Sequence, residues 1–214
     1  MKIKKKGMNE FPLMDGKKGI PLFLPKISNN ELIIYHQGHT SSSLRGYDSH
    51  SFEQDKEIIK NFLDNQTYNI ISDIIFSNKF PLFYNSTTGS FTDTSNYMFG
   101  HQFYLDGERS SAFLESIITP LLNKLSFNKF LRAKLNFYVK NTKHIKSAFH
   151  VDSPHKHTVA LYSINTNNGY TLFKNGNRIR SVANQLVLFD GRLKHCSVNQ
   201  TDQNIRININ INLE

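Results

Sequence analysis

The sequence predicts an α+β domain, mainly β: a double-stranded β-helix, the cupin-like jelly-roll barrel, with flanking N-terminal helices. Three observations predict it. From Arg132 onward, short runs rich in β-branched and aromatic residues follow one another at 133–139, 145–151, 158–164, 170–174, 178–182, 185–189, 194–198 and 205–212. Turn chemistry separates them, in Asn165-Thr-Asn-Asn-Gly169, Asn175-Gly176 and Asp190-Gly191, and Asn-Gly between strand-like runs is a strong hairpin signal. Helical periodicity, by contrast, is confined to the residues before 131, which places the helices on one side of the barrel.

The elements follow in order within one expected domain, 1–214. Residues 1–50 scatter Gly, Pro, Ser and Lys among short apolar runs and read as an irregular N-terminal arm containing His36 and His39. The segment 51–131 reads as helical and strand support. Ser51, with Gln54 three residues on, predicts a helix N-terminus, and Ile58, Ile59, Phe62 and Leu63 would form its buried stripe. Strands are expected over 80–84 and 97–104, with His101 a structural residue in the second. A second helix is expected from Ser110 to about Leu125, with a kink or break at Pro120. The remaining residues, 132–214, are the expected jelly-roll core.

Composition narrows the class. The chain has 214 residues, long enough to bury a substantial core, and 38% hydrophobic residues, ordinary for a globular protein. No run of about 18 apolar residues exists, so a membrane-spanning helix is not expected. The N-terminus Met1-Lys-Ile-Lys-Lys-Lys6 is basic but lacks the apolar stretch of a signal peptide. The single cysteine, Cys196, excludes an intrachain disulfide framework and suits a reducing compartment, so a cytoplasmic location is expected. Cys196 itself should point away from its neighbour His195 as a packed core thiol. The net charge of +9 is an electrostatic footprint compatible with an acidic partner, nucleic acid included.

The chemistry-bearing residues lie late in the chain. His150-Val-Asp152 on a strand would turn both side chains to one face, because positions two apart share a face. His195 follows far enough on for intervening strands to return it alongside. Two imidazoles and one carboxylate on one face of a ferrous ion leave three positions open for a chelating cosubstrate and O2. Arg206 then sits in the alternating Arg-Ile-Asn-Ile-Asn-Ile-Asn run, where Ile205, Ile207, Ile209 and Ile211 are the expected core face and Asn208 and Asn210 share the Arg206 face. Its guanidinium is a planar fork matched to a carboxylate. The alternative is a surface Arg on an edge strand. Asn136 and Tyr138 share one face of the strand before His150. His155 and His157 could make a competing His-x-His site, but Pro154 suggests a loop by then, which favours contact with solvent or substrate.

On these residues the segment from Leu135 to Leu213 resembles the catalytic core of the 2-oxoglutarate/Fe(II)-dependent dioxygenases, most closely the small prolyl-4-hydroxylase-like members of bacteria and viruses. Supporting matches are Asn136-Phe-Tyr138, Asn168-Gly-Tyr-Thr171 and Leu188-Phe-Asp-Gly191, with weaker similarity back to Phe99-Gly-His101. The resemblance implies Fe(II) held by His150, Asp152 and His195, 2-oxoglutarate held by Arg206 with Tyr138 and Asn136, and O2 as oxidant. It implies C–H hydroxylation, on a prolyl residue of a protein, coupled to conversion of 2-oxoglutarate to succinate and CO2. Asp152 argues against halogenation, for which that position is typically vacant. The alkylation-repair demethylases usually carry a second Arg where this chain has Asn212, which sets it apart from them.

Two other readings remain open at this point: a nucleic-acid-oxidising member of the same superfamily, and a non-enzymatic basic cupin-like module. Lys17, Lys18, His36, His39, His155, Lys156 and His157 suggest a basic entrance and hence a macromolecular substrate, protein or peptide ahead of nucleic acid, with no membrane partner.

Overall fold

The structure, a computed structural model, describes residues 56–88 and 96–214, together with the backbone of a two-residue ladder in which Tyr35–His36 (β1) pairs with His39–Thr40 (β2). The rest of the expected N-terminal arm, and the Ser51/Gln54 helix start, lie outside the described residues.

Eleven further strands follow: Lys56–Lys60 (β3), Phe83–Asn85 (β4), Met98–Leu105 (β5), Glu108–Arg109 (β6), Phe130–Val139 (β7), Thr158–Ser163 (β8), Asn167–Phe173 (β9), Arg178–Ser181 (β10), Gln185–Asp190 (β11), His195–Val198 (β12) and Ile205–Leu213 (β13). Seven of them run in the order β3-β11-β8-β13-β7-β5-β4, with β6 paired to β5, to make an eight-stranded sheet. A smaller sheet, β10-β9-β12, faces it. All of these pairings are antiparallel. Two layers of this kind are the jelly roll that the strand spacing predicts.

The alternation of β13 explains the layering. Ile207, Ile209 and Ile211 are fully buried on one face, against Ile71 and Ile75 of helix α1 (Asn65–Phe76) and Leu114, Ile117, Ile118 and Leu121. Each such side chain contributes about 1.5–3 kcal/mol on burial. The intervening Arg206, Asn208 and Asn210 face the barrel interior. Between the sheets, Val159, Leu161, Phe173, Ile179, Val187 and Phe189 form a second apolar cluster.

Three expectations are corrected. Residues 56–60 are a strand, not a helix: Ile58 and Ile59 fit a helical stripe, but the free edge of β11 offers a ladder partner, pairing Leu186 with Ile59 and Val187 with Ile58. Ile58 is accordingly exposed rather than in a stripe. The helix starts later, where Asp64 caps it by accepting from the Thr67 N–H at 2.9 Å. The second helix is shorter than expected, a π-helical turn at Leu114–Ile118 followed by Thr119–Leu122 (α2). Pro120 cannot donate a backbone hydrogen bond, so the regular ladder fails there, yet the apolar positions stay buried. Finally, 145–151 is not a strand; it touches β12 through two isolated pairs, Lys146 with Val198 and His150 with His195.

A buried asparagine fixes the entry to α1. Asn184 has φ of 55°, a left-handed conformation that Asn tolerates. Its Oδ1 accepts from the Leu63 N–H (2.9 Å) and the Tyr162 hydroxyl (2.8 Å), and its Nδ2 donates to the Leu63 carbonyl (2.8 Å). Asn184→Ala strands all three partners inside the protein, so unfolding in urea should show a loss of about 3 kcal/mol.

Among the described residues no helix is long and apolar enough to cross a membrane.

Candidate metal and cosubstrate site

A cavity of about 500 Å³ opens between the sheets. Its walls include His150, Asp152, His195, Asn136, Tyr138 and Arg206, the six residues expected from the sequence to hold iron and 2-oxoglutarate. The pairing of β12 with the preceding segment brings the two histidines together. The His150 and His195 backbones exchange hydrogen bonds of 2.9 and 3.0 Å, and their ring centres lie 4.7 Å apart. Asp152 joins them from a bend, not from a strand; the Oδ1 atom is 3.7 Å from His150 Nε2 and 3.9 Å from His195 Nε2. One ligand atom from each residue falls within 4.8 Å of the others, so the three could hold a single cation.

The surrounding atoms orient this donor set. His195 Nδ1 is 2.9 Å from the Leu193 carbonyl and His150 Nδ1 is 3.3 Å from the Ala148 carbonyl. A carbonyl only accepts, so each Nδ1 carries a proton and each Nε2 is the ring atom turned toward the cluster. Asp152 Oδ2 accepts from Asn210 Nδ2 at 2.9 Å and pairs with Arg132 at 3.3 Å, leaving Oδ1 toward the histidines. Burial pushes the Asp152 carboxyl up, but Arg132, His195, Asn210 and His150 together outweigh it and hold it below its usual range. Burial pulls His195 down, against the pull of Asp152. An ionised Asp152 carboxylate is the form a divalent cation requires.

Arg206 lies deeper. It is 2% exposed in the middle of the large sheet, so the edge-strand reading is excluded. Its Nε donates to Ser181 Oγ (2.8 Å), Nη1 to Ser197 Oγ (2.6 Å) and Nη2 to Thr171 Oγ1 (3.3 Å), while the guanidinium carbon sits 5.1 Å from the Tyr138 ring centre. Among the described residues it has no carboxylate partner. Burial pulls its pKa down. Nη1 also donates to the Val198 carbonyl at 3.4 Å, so the buried cation meets only neutral groups among the described residues, which is costly unless an anion completes the site. Asn136 Nδ2 donates to Asn208 Oδ1 at 3.0 Å, next along the same wall.

Gly169 is part of this arrangement. A Cβ there would lie 2.8 Å from Arg206 Cδ and 3.0 Å from the Gln200 nitrogen, so only glycine lets β9 pass so close to the arginine stem. If Arg206 holds 2-oxoglutarate, as the sequence resemblance implies, Gly169→Ala should weaken its binding several-fold through displacement of Arg206, read as the midpoint of a titration with 2-oxoglutarate.

The other candidate residues resolve as follows. Cys196 is buried, as expected of a core thiol. His101 is buried and structural, with Nε2 2.7 Å from Ser111 Oγ and Nδ1 2.8 Å from the Pro81 carbonyl. His155 and Lys156 are exposed, but His157 is not the solvent or substrate contact expected of it: it is buried, packed against Gly191, where an added Cβ would clash with its ring. Sequence reasoning missed Arg132 and Lys134, which line the cavity from β7. The signal was available, because 132, 134, 136 and 138 share one face of a strand.

Among solved structures the chain is similar to an oxidoreductase of the 2OG-Fe(II) oxygenase family from Burkholderia pseudomallei, with 12% identity, a TM-score of 0.52 and coverage of 74% of this chain and 84% of that one. The chain shares that protein's fold. It is also similar, at TM-score 0.49 and 13% identity, to a Pseudomonas putida prolyl-4-hydroxylase, over 74% of this chain and 92% of the other. A viral collagen prolyl hydroxylase from Paramecium Bursaria Chlorella virus-1, solved with 2OG, matches at TM-score 0.48 and 14% identity, over 76% of this chain and 98% of the other. No protein-family model matches the sequence, and no curated protein does.

Proposed function

We propose that the protein is an Fe(II)/2-oxoglutarate-dependent dioxygenase in which His150, Asp152 and His195 hold ferrous iron and Arg206, with Tyr138 and Asn136, holds 2-oxoglutarate. The observation that carries this reading is the pairing, in one cavity, of a His/Asp/His cluster with a buried arginine that has no carboxylate partner among the described residues. Three ligands from the protein leave room on an octahedral ion for a chelating cosubstrate and O2. When bound, iron and 2-oxoglutarate supply the oxidation: O2 converts 2-oxoglutarate to succinate and CO2 and hydroxylates a substrate C–H bond.

The chain's own residues do the rest. Arg206 receives the carboxylate far from the iron, and Ser181, Ser197 and Thr171 keep its fork fixed before the ligand arrives. Arg132 and Asn210 hold one oxygen of Asp152 so that the other stays directed at the cation. Phe189 and Leu161 give the cavity an apolar wall beside the histidines, which limits water there. A purely structural metal site would close its positions with protein ligands, and a buried arginine would have no purpose beside it.

For the substrate we favour a prolyl residue of a protein or peptide, on the strength of the motif resemblance. A nucleobase is the second reading, favoured by the net charge of +9. A succinate-release assay across peptide, nucleotide and amino-acid pools tests both. Turnover with proline-containing peptides alone supports the first reading, turnover with oligonucleotides alone the second, and efficient turnover of free proline neither.

A further inference from the structure

The cavity has a second cationic position that the cosubstrate does not use. β7 turns Arg132, Lys134, Asn136 and Tyr138 to the same wall, opposite Asn212, Asn210, Asn208 and Arg206 of β13. Alternate residues on a strand are about 6.6 Å apart, so Lys134 starts about 13 Å along the wall from Tyr138 and Arg206. The His/Asp/His cluster lies toward this end of the wall, because Asn210 and Arg132 are the residues that grip Asp152. Lys134 therefore lies level with the proposed iron position, whereas Arg206 is set further along the wall.

Lys134 is poised rather than paired. Its stem runs over Gly100 beside Asn85: a Cβ on Gly100 would lie 2.9 Å from Lys134 Cε and 3.1 Å from Asn85 Nδ2. It has no hydrogen bond or ion pair with any of the described residues. Asp152 does not neutralise it, since one carboxylate oxygen is taken by Arg132 and Asn210 and the other faces the histidines. Burial and the nearby Arg132 pull its pKa down, against Asp152. Among the described residues the cavity walls hold three cations, Arg132, Lys134 and Arg206, against the single carboxylate of Asp152. A dication and a dicarboxylate cancel each other, so loading the site leaves that positive excess in place.

The geometry points to Lys134, with Asn85 beside it, as a subsite for an anionic group of the substrate, a carboxylate or a phosphoryl group placed next to the C–H bond to be oxidised. This inference rests on the oxygenase reading and narrows its substrate class: a peptide substrate carries an acidic or phosphorylated residue adjacent to the target proline, and a neutral peptide or free neutral metabolite is a poor ligand. Asn85 can donate to the same oxyanion, and Thr87 lines the cavity close by.

The test uses the full chain loaded with Mn(II), which cannot turn over, and 2-oxoglutarate, with binding read by calorimetry. The ligands are short peptides containing Asp-Pro, phosphoserine-Pro or Asn-Pro, and inorganic phosphate as a probe without a peptide. The Asp-Pro or phosphoserine-Pro peptide should bind about tenfold tighter than the Asn-Pro peptide, roughly one Coulombic contact at a partly buried site. Whichever of the two binds better identifies the anion. Lys134→Met should remove the preference, Lys134→Arg should retain most of it, and Gly100→Ala, which keeps the charge but crowds the lysine stem, should reduce it.

If Lys134→Met binds the acidic peptides and phosphate as tightly as the wild type, the subsite is wrong. It is also overturned if none of these ligands binds the loaded protein, or if the substitution lowers affinity for 2-oxoglutarate in place of the acidic ligands, which would make Lys134 a cosubstrate residue. Phosphate binding that depends on Lys134 without any peptide binding would support the subsite and sink the prolyl reading. An independent titration of Fe(II) and 2-oxoglutarate under nitrogen reports on the oxygenase reading itself, so the two failures are separable.

Discussion

Asp152→Ala should form no measurable succinate from 2-oxoglutarate, a loss beyond the roughly 10–100-fold expected for a residue that merely supports a metal ligand. The carboxylate is the one anion in the cluster, and both imidazole Nε2 atoms are turned toward its Oδ1. His195→Ala should have the same effect, because His195 supplies one of the two imidazoles and is itself held by the Leu193 carbonyl. The comparison that matters is Arg132→Gln. It removes the ion pair behind Asp152 without removing a proposed ligand, so iron affinity should fall only about 10-fold while the Asn210 hydrogen bond remains. Succinate release, iron content after dialysis and circular dichroism on each variant separate a lost ligand from a lost fold. Full turnover by Asp152→Ala and His195→Ala would mean that the site has been wrongly assigned.

The second large effect belongs to Arg206. Arg206→Lys keeps the charge but loses the fork and the three fixed donors that now meet Ser181, Ser197 and Thr171. Apparent 2-oxoglutarate affinity should drop tenfold or more, equivalent to about 1.4 kcal/mol, while iron affinity barely changes. The size of the effect follows from burial: at the surface water can compensate for the exchange, whereas here the side chain is buried and no carboxylate among the described residues adjoins it. An unchanged midpoint would reduce Arg206 to a structural residue that braces β13 against β9.

Much of this site was legible in the sequence because strand periodicity is local. The Arg-Ile-Asn-Ile-Asn-Ile-Asn run states which residues face the helices and which face the cavity, and β13 obeys it from Arg206 to Ile211. The Asn175-Gly176 turn is equally local, with Gly176 at φ of 89° where a side chain would be strained. What was not legible depends on partners distant in the chain. Ile58 and Ile59 fit a helix until the edge of β11, more than a hundred residues later, claims them for a ladder. His157 reads as a loop residue but is buried because Gly191 makes room for it. Arg132 and Lys134 look like ordinary surface charges on a strand; only the approach of Asp152 and β13 turns their face into a cavity wall. The His150-Val-Asp152 reading reached the correct grouping by an incorrect route, since a bridge and a bend, not a strand, bring these residues together.

The most direct check of the proposed chemistry needs no substrate. Fe(II) and 2-oxoglutarate added together to the purified protein under nitrogen should produce a visible metal-to-ligand charge-transfer band that neither produces alone. The band should be absent in Asp152→Ala and should form only at higher 2-oxoglutarate concentration in Arg206→Lys. A wild-type protein that binds Fe(II) tightly yet shows no band at any 2-oxoglutarate concentration would instead be a metal-binding jelly roll without this oxygenase chemistry.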